Sequence, residues 1–89
     1  MIRQVVFSAH AVIKLQILRR HGFEIREEDI VNVVKHPDKV FKGRRGRFIA
    51  QKAYDEKHLI RVIYELKDEN AVVVTFYPAR RERYENQIQ

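Results

Sequence analysis

The sequence predicts a single α+β domain in which one strand and two helices precede a run of strands. The chain has 89 residues, of which 45% are hydrophobic, and this length suits one domain with one thin core. Apolar residues recur at helical spacing up to residue 35 and alternate at strand spacing after residue 39. We therefore expect an N-terminal strand and two helices packed on one face of an antiparallel sheet of four to five strands.

The N-terminal part of the chain predicts one strand and two helices. β-Branched and aromatic residues at 2–7 favour a strand, and Ser8 offers its hydroxyl as the N-cap of a first helix. This helix should end at Gly22, because glycine readily adopts the left-handed conformation that closes helices. Acidic residues at 27–29 indicate the first turn of a short second helix, which should end at His36 and Pro37.

The remaining residues predict an antiparallel meander of four strands. Alternating side chains separated by GRRG, DEK and KDEN turns place these strands at residues 39–42, 47–54, 58–66 and 71–77. We expect the domain to span residues 1–78. Residues 79–89 then form a basic polar C-terminal tail, as a last helical turn or a frayed end.

Composition limits the classes of function. Eighteen Lys and Arg residues against 12 Asp and Glu give a formal net charge of +6, which favours nucleic acid or an acidic protein as partner over a merely soluble basic surface. The sequence contains no cysteine, which excludes a disulfide framework and a thiolate zinc site. The histidines are scattered, so we expect no metal and no cofactor. Without a secretory signal or a membrane-length apolar run, we expect a cytoplasmic protein with no membrane partner.

Side-chain alternation separates a core face of the sheet from an open face. The last strand should send one set of side chains under the helices, namely Val72, Val74 and Phe76, and should leave Val73, Thr75 and Tyr77 opposite them. By the same parity, Ile60, Val62 and Tyr64 match the core set, and the open set is Leu59, Arg61, Ile63 and Glu65. Arg47, Ile49 and Gln51 should join the open face, with His10 at its rim.

The residue types on the open face suit RNA phosphodiester chemistry. Cleavage by the 2′-hydroxyl needs proton transfer and fixed positive charge near the phosphate. Histidine changes charge near neutral pH, so His10 is the candidate for proton transfer. Arg61 would hold the phosphate, Tyr77 would stack on a base or donate a hydrogen bond, and Thr75 would orient. Two alternatives stay open: Arg61 forms an ion pair with Glu65, and the other residues are ordinary packed or solvated side chains.

Basic clusters in a turn and in the tail extend this candidate RNA-binding surface. We expect RNA contacts there from Lys42, Arg44, Arg45, Arg47, Arg80 and Arg81. For the GRRG turn at residues 43–46, phosphate binding and plain solubility both remain open, because its arginines lie on a hairpin tip.

Five strings of the sequence together resemble a known family: FSAHA, RRHGFEIREEDI, HPDKV, LIRVIYEL and VVVTFYP, in that order over about residues 5–78. They are similar to a family of small prokaryotic domains related to the RelE/ParE and BrnT toxins. The resemblance implies two helices on an antiparallel sheet, a fold shared with ribosome-dependent and free ribonuclease toxins. It also implies a site at His10, Arg20, Thr75 and Tyr77.

The expected function is therefore that of a toxin-like RNA-acting protein. It would be a metal-independent endoribonuclease, or a domain that binds or cleaves RNA on the ribosome, with an acidic antitoxin protein as a further partner. The alternative is a non-catalytic basic module that binds an acidic antitoxin-like protein or nucleic acid. A homodimer that pairs through an exposed strand is a third class.

Overall fold

A computed structural model of the protein describes residues 2–85. Its elements in chain order are β1 Gln4–Phe7, α1 Ala9–Arg20, α2 Glu27–Lys35, β2 Lys39–Lys42, β3 Arg47–Ala53, β4 His58–Lys67, β5 Asn70–Arg80 and α3 Arg81–Glu85. The fold is α+β, as the sequence predicts. No helix within residues 2–85 has the length and apolar character needed to cross a membrane.

The five strands form one sheet in the order β1-β5-β4-β3-β2. Strands β2 to β5 form the predicted antiparallel meander. The expectation of a wholly antiparallel sheet is wrong for β1, which pairs with β5 in parallel. The reason is topological, because the chain crosses over the sheet through α1 and α2 before the meander begins, and a parallel pair requires such a long connection.

Local signals position α1 and α2 as predicted. The Ser8 hydroxyl accepts the backbone N–H of Ala11 at 3.1 Å and caps α1, and Gly22 follows the helix with a φ of +89°. The Asp29 carboxylate accepts the backbone N–H of Arg26 at 2.9 Å at the start of α2. These caps satisfy backbone donors that the first helical turn leaves unpaired.

The core lies between one face of the sheet and the helices α1 and α2. Leu15 and Ile30 are examples of side chains that the helices bury in it. The sheet contributes Ala50, Ile60, Val62, Tyr64, Ala71, Val73 and Phe76. The prediction for β4 is thus confirmed, since Ile60, Val62 and Tyr64 all face the helices.

A β-bulge in β5 corrects the predicted alternation. Tyr64 of β4 pairs with Val73, but the next pair is Ile63 with Thr75, so Val74 has no partner of its own on β4. Because the bulge inserts one residue, the next core residue of β5 after Val73 is Phe76, three positions on, instead of the residue two positions on. Val73 is fully buried, whereas Val72 and Val74 are only half-buried. Their assignment to the core was therefore wrong.

This correction predicts that Val73→Ala destabilises the fold more than Val74→Ala. Removing two methyl groups from the fully buried Val73 should lower the free energy of unfolding by about 2 kcal/mol, and Val74→Ala should cost about 1 kcal/mol or less. Urea unfolding of both variants measures the difference. An equal or larger loss for Val74→Ala would contradict the bulge.

The sheet face opposite α1 and α2 is called the outer face here, and strand register arranges its side chains in rows. One row is polar and runs across β2 to β5 through Lys39, Gln51, Arg61 and Tyr77. The next row is mostly apolar and consists of Phe41, Ile49, Ile63 and Thr75. The outer face is less open than predicted, because Gln51 and Leu59 are 4% and 1% exposed.

Candidate functional site

Arg61 lies at the centre of the candidate site on the outer face. Its neighbours Ile60 and Val62 are buried in the core, so strand alternation directs Arg61 to the opposite side. There its Nη1 donates a hydrogen bond to the hydroxyl of Tyr77 at 2.9 Å. The two residues are cross-strand partners of β4 and β5, which confirms that they share a face.

Three aromatic rings surround the Arg61 guanidinium. Its Cζ lies 4.5 Å from the ring centroid of Tyr84, 5.8 Å from that of Tyr77 and 5.9 Å from that of Phe41. Such distances permit cation–π attraction, which is stronger where water is partly excluded. We call Phe41, Gln51, Arg61, Tyr77 and Tyr84 the Arg61 cluster.

No carboxylate neutralises Arg61 within residues 2–84. The expected alternative, an ion pair with Glu65, is not formed, because Glu65 accepts from Nε of Arg47 at 2.9 Å. The partners of Arg61 are instead a neutral hydroxyl and neutral rings. Its positive charge is therefore available to an anion, and a guanidinium binds anions with several parallel donors.

Two buried polar atoms of the cluster lack a hydrogen-bond partner among the described residues. They are Nε of Arg61, a donor, and Oε1 of Gln51, an acceptor. The two residues are cross-strand neighbours on β4 and β3. Buried polar atoms are nearly always paired in proteins, so this unpaired donor and acceptor mark the cluster as unusual within the sheet.

The Tyr77 hydroxyl keeps its proton at neutral pH. Burial raises the pKa of Tyr77 above its ordinary value, the neighbouring Tyr84 raises it further, and the charge of Arg61 opposes the shift. A protonated phenol can donate a hydrogen bond to a phosphate or a base. Tyr77 therefore suits binding and orientation better than proton abstraction.

The start of α1 is tied to the edge of β5 at the bulge. The Ser8 hydroxyl donates to the carbonyl of Val74 at 3.0 Å, and Nζ of Lys14 donates to Oγ1 of Thr75 at 3.4 Å. Nζ of Lys14 also lies 5.9 Å from the Tyr77 ring centroid. Bulges commonly re-aim side chains next to functional sites, and here the bulge places Thr75 beside a lysine from the helix.

His10 lies one helical turn before Lys14 on α1. It stands in the first turn of α1 and is exposed. Residues four apart on a helix are neighbours on one face, so His10 is adjacent to Lys14 and on the side of α1 that meets β5. Within residues 2–84 its side chain has no hydrogen bond or ion pair, and its ring is exposed.

The other predicted RNA contacts do not belong to the Arg61 cluster. Arg20 is exposed at the end of α1, and Lys42, Arg44 and Arg45 are exposed at the β2–β3 hairpin. Arg47 lies on the outer face but is paired with Glu65. At the C-terminal end of β5, Arg80 is opposite His58, and Nη1 of Arg81 donates to the carbonyl of Asp55 at 3.1 Å.

Sequence reasoning missed three residues of the site: Lys14, Phe41 and Tyr84. The place of Phe41 beside Arg61 depends on the pairing of β2 with β3, which gives no local signal. Lys14 could have been found from its spacing of four residues after His10 on a helix. Tyr84 lies in the segment that was predicted to be a polar tail. In the structure, residues 81–85 of this segment form α3, and residues 86–89 lie outside the described part of the chain. The signal was that Tyr84 is the aromatic residue of this tail.

His58 has an acidic partner, Asp55, in the turn between β3 and β4. Nδ1 of His58 lies 3.1 Å from Oδ1 of Asp55, and the backbone N–H of Lys57 donates to the same carboxylate and lowers the pKa of Asp55 most. This arrangement stabilises the β3–β4 turn. Residues 2–84 contain no group of three or more side chains suited to binding a metal ion.

The Arg61 cluster, together with Lys14 and Thr75 at the neighbouring edge of β5, suits a ligand that carries both a negative charge and a planar ring. Arg61 and Lys14 supply charge, the Tyr77 and Thr75 hydroxyls supply hydrogen bonds, and Phe41 and Tyr84 offer ring faces or edges. Nucleotides have both properties. Comparisons with known proteins found no matching family model, curated protein or solved structure.

Proposed function

We propose that the protein is a toxin-like RNA-acting protein that binds single-stranded RNA at the Arg61 cluster and cleaves it next to His10. The observation that carries the proposal is the uncompensated guanidinium of Arg61, which is held by the Tyr77 hydroxyl and enclosed by aromatic rings. Specific recognition of RNA usually combines charge for the phosphate with aromatic stacking for unpaired bases.

Binding would use the edge and the face of the sheet together. Arg61 Cζ and Lys14 Nζ lie 5.8 Å and 5.9 Å from the centroid of the same Tyr77 ring, so a phosphate near Tyr77 would meet two positive charges. A base would stack on Tyr84 or Phe41, and aromatic stacking contributes about 1 to 3 kcal/mol per base. Duplex RNA keeps its bases stacked inside, so this mode requires a single strand.

Cleavage would proceed by attack of the RNA itself. His10 takes the proton of the 2′-hydroxyl, a new bond forms from that oxygen to phosphorus, and the bond to the 5′-oxygen breaks. The leaving 5′-oxygen takes a proton from water, and the imidazolium of His10 loses its proton to solvent. Arg61 and Lys14 stabilise the charge that develops on the phosphate. The products are a 2′,3′-cyclic phosphate and a 5′-hydroxyl, and no metal takes part.

The resemblance to the RelE/ParE and BrnT toxins supports this proposal and extends it. A toxin of this kind acts in the cytoplasm on free or ribosome-bound RNA and is held by an acidic antitoxin protein. The formal net charge of +6 suits both partners. The packing of α1 and α2 on one sheet face is compatible with the fold that the resemblance implies.

Substitution of Arg61 tests the proposal. RNA binding by the parent should weaken with salt, with a slope of log affinity against log salt of about −3 to −4 if 4 to 6 phosphates are neutralised on a single strand. Arg61→Ala should lower the affinity for a single-stranded RNA by about tenfold or more, because charge-assisted bonds and cation–π contacts are lost together. Fluorescence anisotropy across a salt series measures both quantities.

Lys35→Ala is the matched control, since it removes one exposed charge from the end of α2. It should reduce the affinity far less than Arg61→Ala. Arg61→Lys should give an intermediate loss, because it keeps the charge but not the planar fork. A flat salt response, or equal losses for Arg61→Ala and Lys35→Ala in folded proteins, would reject the Arg61 cluster as the RNA site.

One observation favours the alternative function, a non-catalytic module that binds an acidic protein. β1 pairs with β5 only as far as Val73, so within residues 2–85 the same edge of β5 lacks a strand partner from Thr75 to Arg80. An extended acidic segment could add to this edge. RNA binding or protein binding without cleavage by the parent protein would favour this module.

A further inference from the structure

The tip of the β2–β3 hairpin contains an arginine in a backbone conformation that favours glycine. The tip is a single tight turn, Arg44–Gly46, closed by a hydrogen bond from the N–H of Gly43 to the carbonyl of Arg47 at 2.8 Å. Within it Arg45 has φ 59° and ψ 37°, which is the left-handed region. Gly46 follows with φ 72°.

An arginine at this position opposes local stability. The left-handed region crowds the Cβ of an L-residue against the backbone, and glycine, asparagine or aspartate is the usual occupant. Glycines do stand at Gly43 and Gly46 on either side. The left-handed backbone therefore accounts for Gly46 but not for Arg45, whose side chain needs another explanation.

Plain solubility does not supply that explanation. Segment 42–47 contains four cationic side chains and no acidic one. Arg44 carries the same charge without a left-handed backbone. Among the described residues, the non-glycine residues with a positive φ are Arg45 and Asp68. Within residues 2–84, Arg45 is exposed and has no hydrogen bond or ion pair of its own. Its guanidinium is thus free for a ligand outside the chain.

We propose that Arg45 binds the phosphate backbone of the same RNA strand that the Arg61 cluster binds, which rests on the proposed function. Arg47 at the base of the tip and Gln51 in the Arg61 row lie on one strand, about 13 Å apart for four residues. Single-strand sites cover about 4 or more nucleotides, so one strand of RNA can reach both places. The left-handed backbone then holds the Arg45 side chain at the exposed end of the hairpin.

The test replaces Arg45 with glycine and measures stability and RNA affinity together. Arg45→Gly should raise the Tm, because glycine adopts the left-handed conformation without crowding, and should weaken binding of a single-stranded RNA of about 12 nucleotides. The salt slope of binding should become shallower by about 0.7 for the phosphate contact that is lost. A solely structural role for Arg45 would leave this slope unchanged.

Asp68→Gly is the matched control for backbone strain, because Asp68 also has a φ of 59° and lies in the turn between β4 and β5. Because aspartate tolerates this conformation better than arginine does, Asp68→Gly should change the Tm less than Arg45→Gly and should not weaken RNA binding. Arg44→Ala is the control for charge and should reduce the affinity less than Arg45→Gly. Unchanged affinity and slope in Arg45→Gly would overturn the inference, and so would equal losses in Arg44→Ala and Arg45→Gly.

The outcomes also separate this inference from the proposed function. If Arg61→Ala weakens RNA binding and Arg45→Gly does not, the Arg61 site stands and the role of Arg45 is rejected. If Arg45→Gly lowers the Tm, the argument from strain is rejected. If the parent protein does not bind RNA at low salt, both proposals fail.

Discussion

His10→Ala should abolish most RNA cleavage and leave RNA binding within a few-fold of the parent protein. General acid and base catalysis contributes about 10² to 10⁴-fold to a rate, and the side chain of His10 is exposed without a hydrogen-bond partner among residues 2–84. Its removal should therefore lower the rate constant for cleavage rather than the affinity. Single-turnover cleavage of total RNA and of RNA on translating ribosomes measures the rate.

His21→Ala is the control for this experiment. His21 is also exposed and caps the other end of α1, about 16 Å from His10 along the helix. Its substitution should leave cleavage unchanged. Cleavage that survives in His10→Ala would reject the catalytic role of His10. If the parent cleaves no RNA in either setting, the protein is better described as a binding module.

Phe76→Ala should lower the free energy of unfolding by about 3 to 5 kcal/mol. Phe76 is fully buried and returns β5 to the core face directly after the bulge. The loss is large compared with the total stability of a small domain, which is about 5 to 15 kcal/mol. Urea unfolding followed by circular dichroism measures it.

Thr75→Ala is the control for position, since Thr75 precedes Phe76 but lies on the outer face. It should cost about 1 kcal/mol or less. If Phe76→Ala has no cooperative transition, Phe76→Leu should still unfold cooperatively with a smaller loss. A Phe76→Leu protein as stable as the parent, or a greater loss in Thr75→Ala, would contradict the assigned faces of β5.

The sequence alone was sufficient for the boundaries of α1 and α2 and for the strands of the meander, except that β5 continues past the predicted residue 77 to Arg80. Ser8, Gly22 and the acidic residues at 27–29 act on backbone groups within a few residues of themselves, so their effect is readable locally. Alternation in β4 likewise identified which side of the strand carries Arg61. The shared face of Thr75, Tyr77 and Arg61 was predicted correctly, because Thr75 and Tyr77 follow the bulge and alternate regularly with the buried Phe76.

Only the tertiary structure decided the features that depend on distant segments. Residues before the bulge lost the predicted parity, which placed Val73 rather than Val72 in the core, and alternation by itself gives no sign of one inserted residue. The parallel pairing of β1 with β5 and the position of Tyr84 over Arg61 join residues far apart in the chain. Such contacts follow from packing of the whole chain rather than from local propensity, and they complete the site around Arg61.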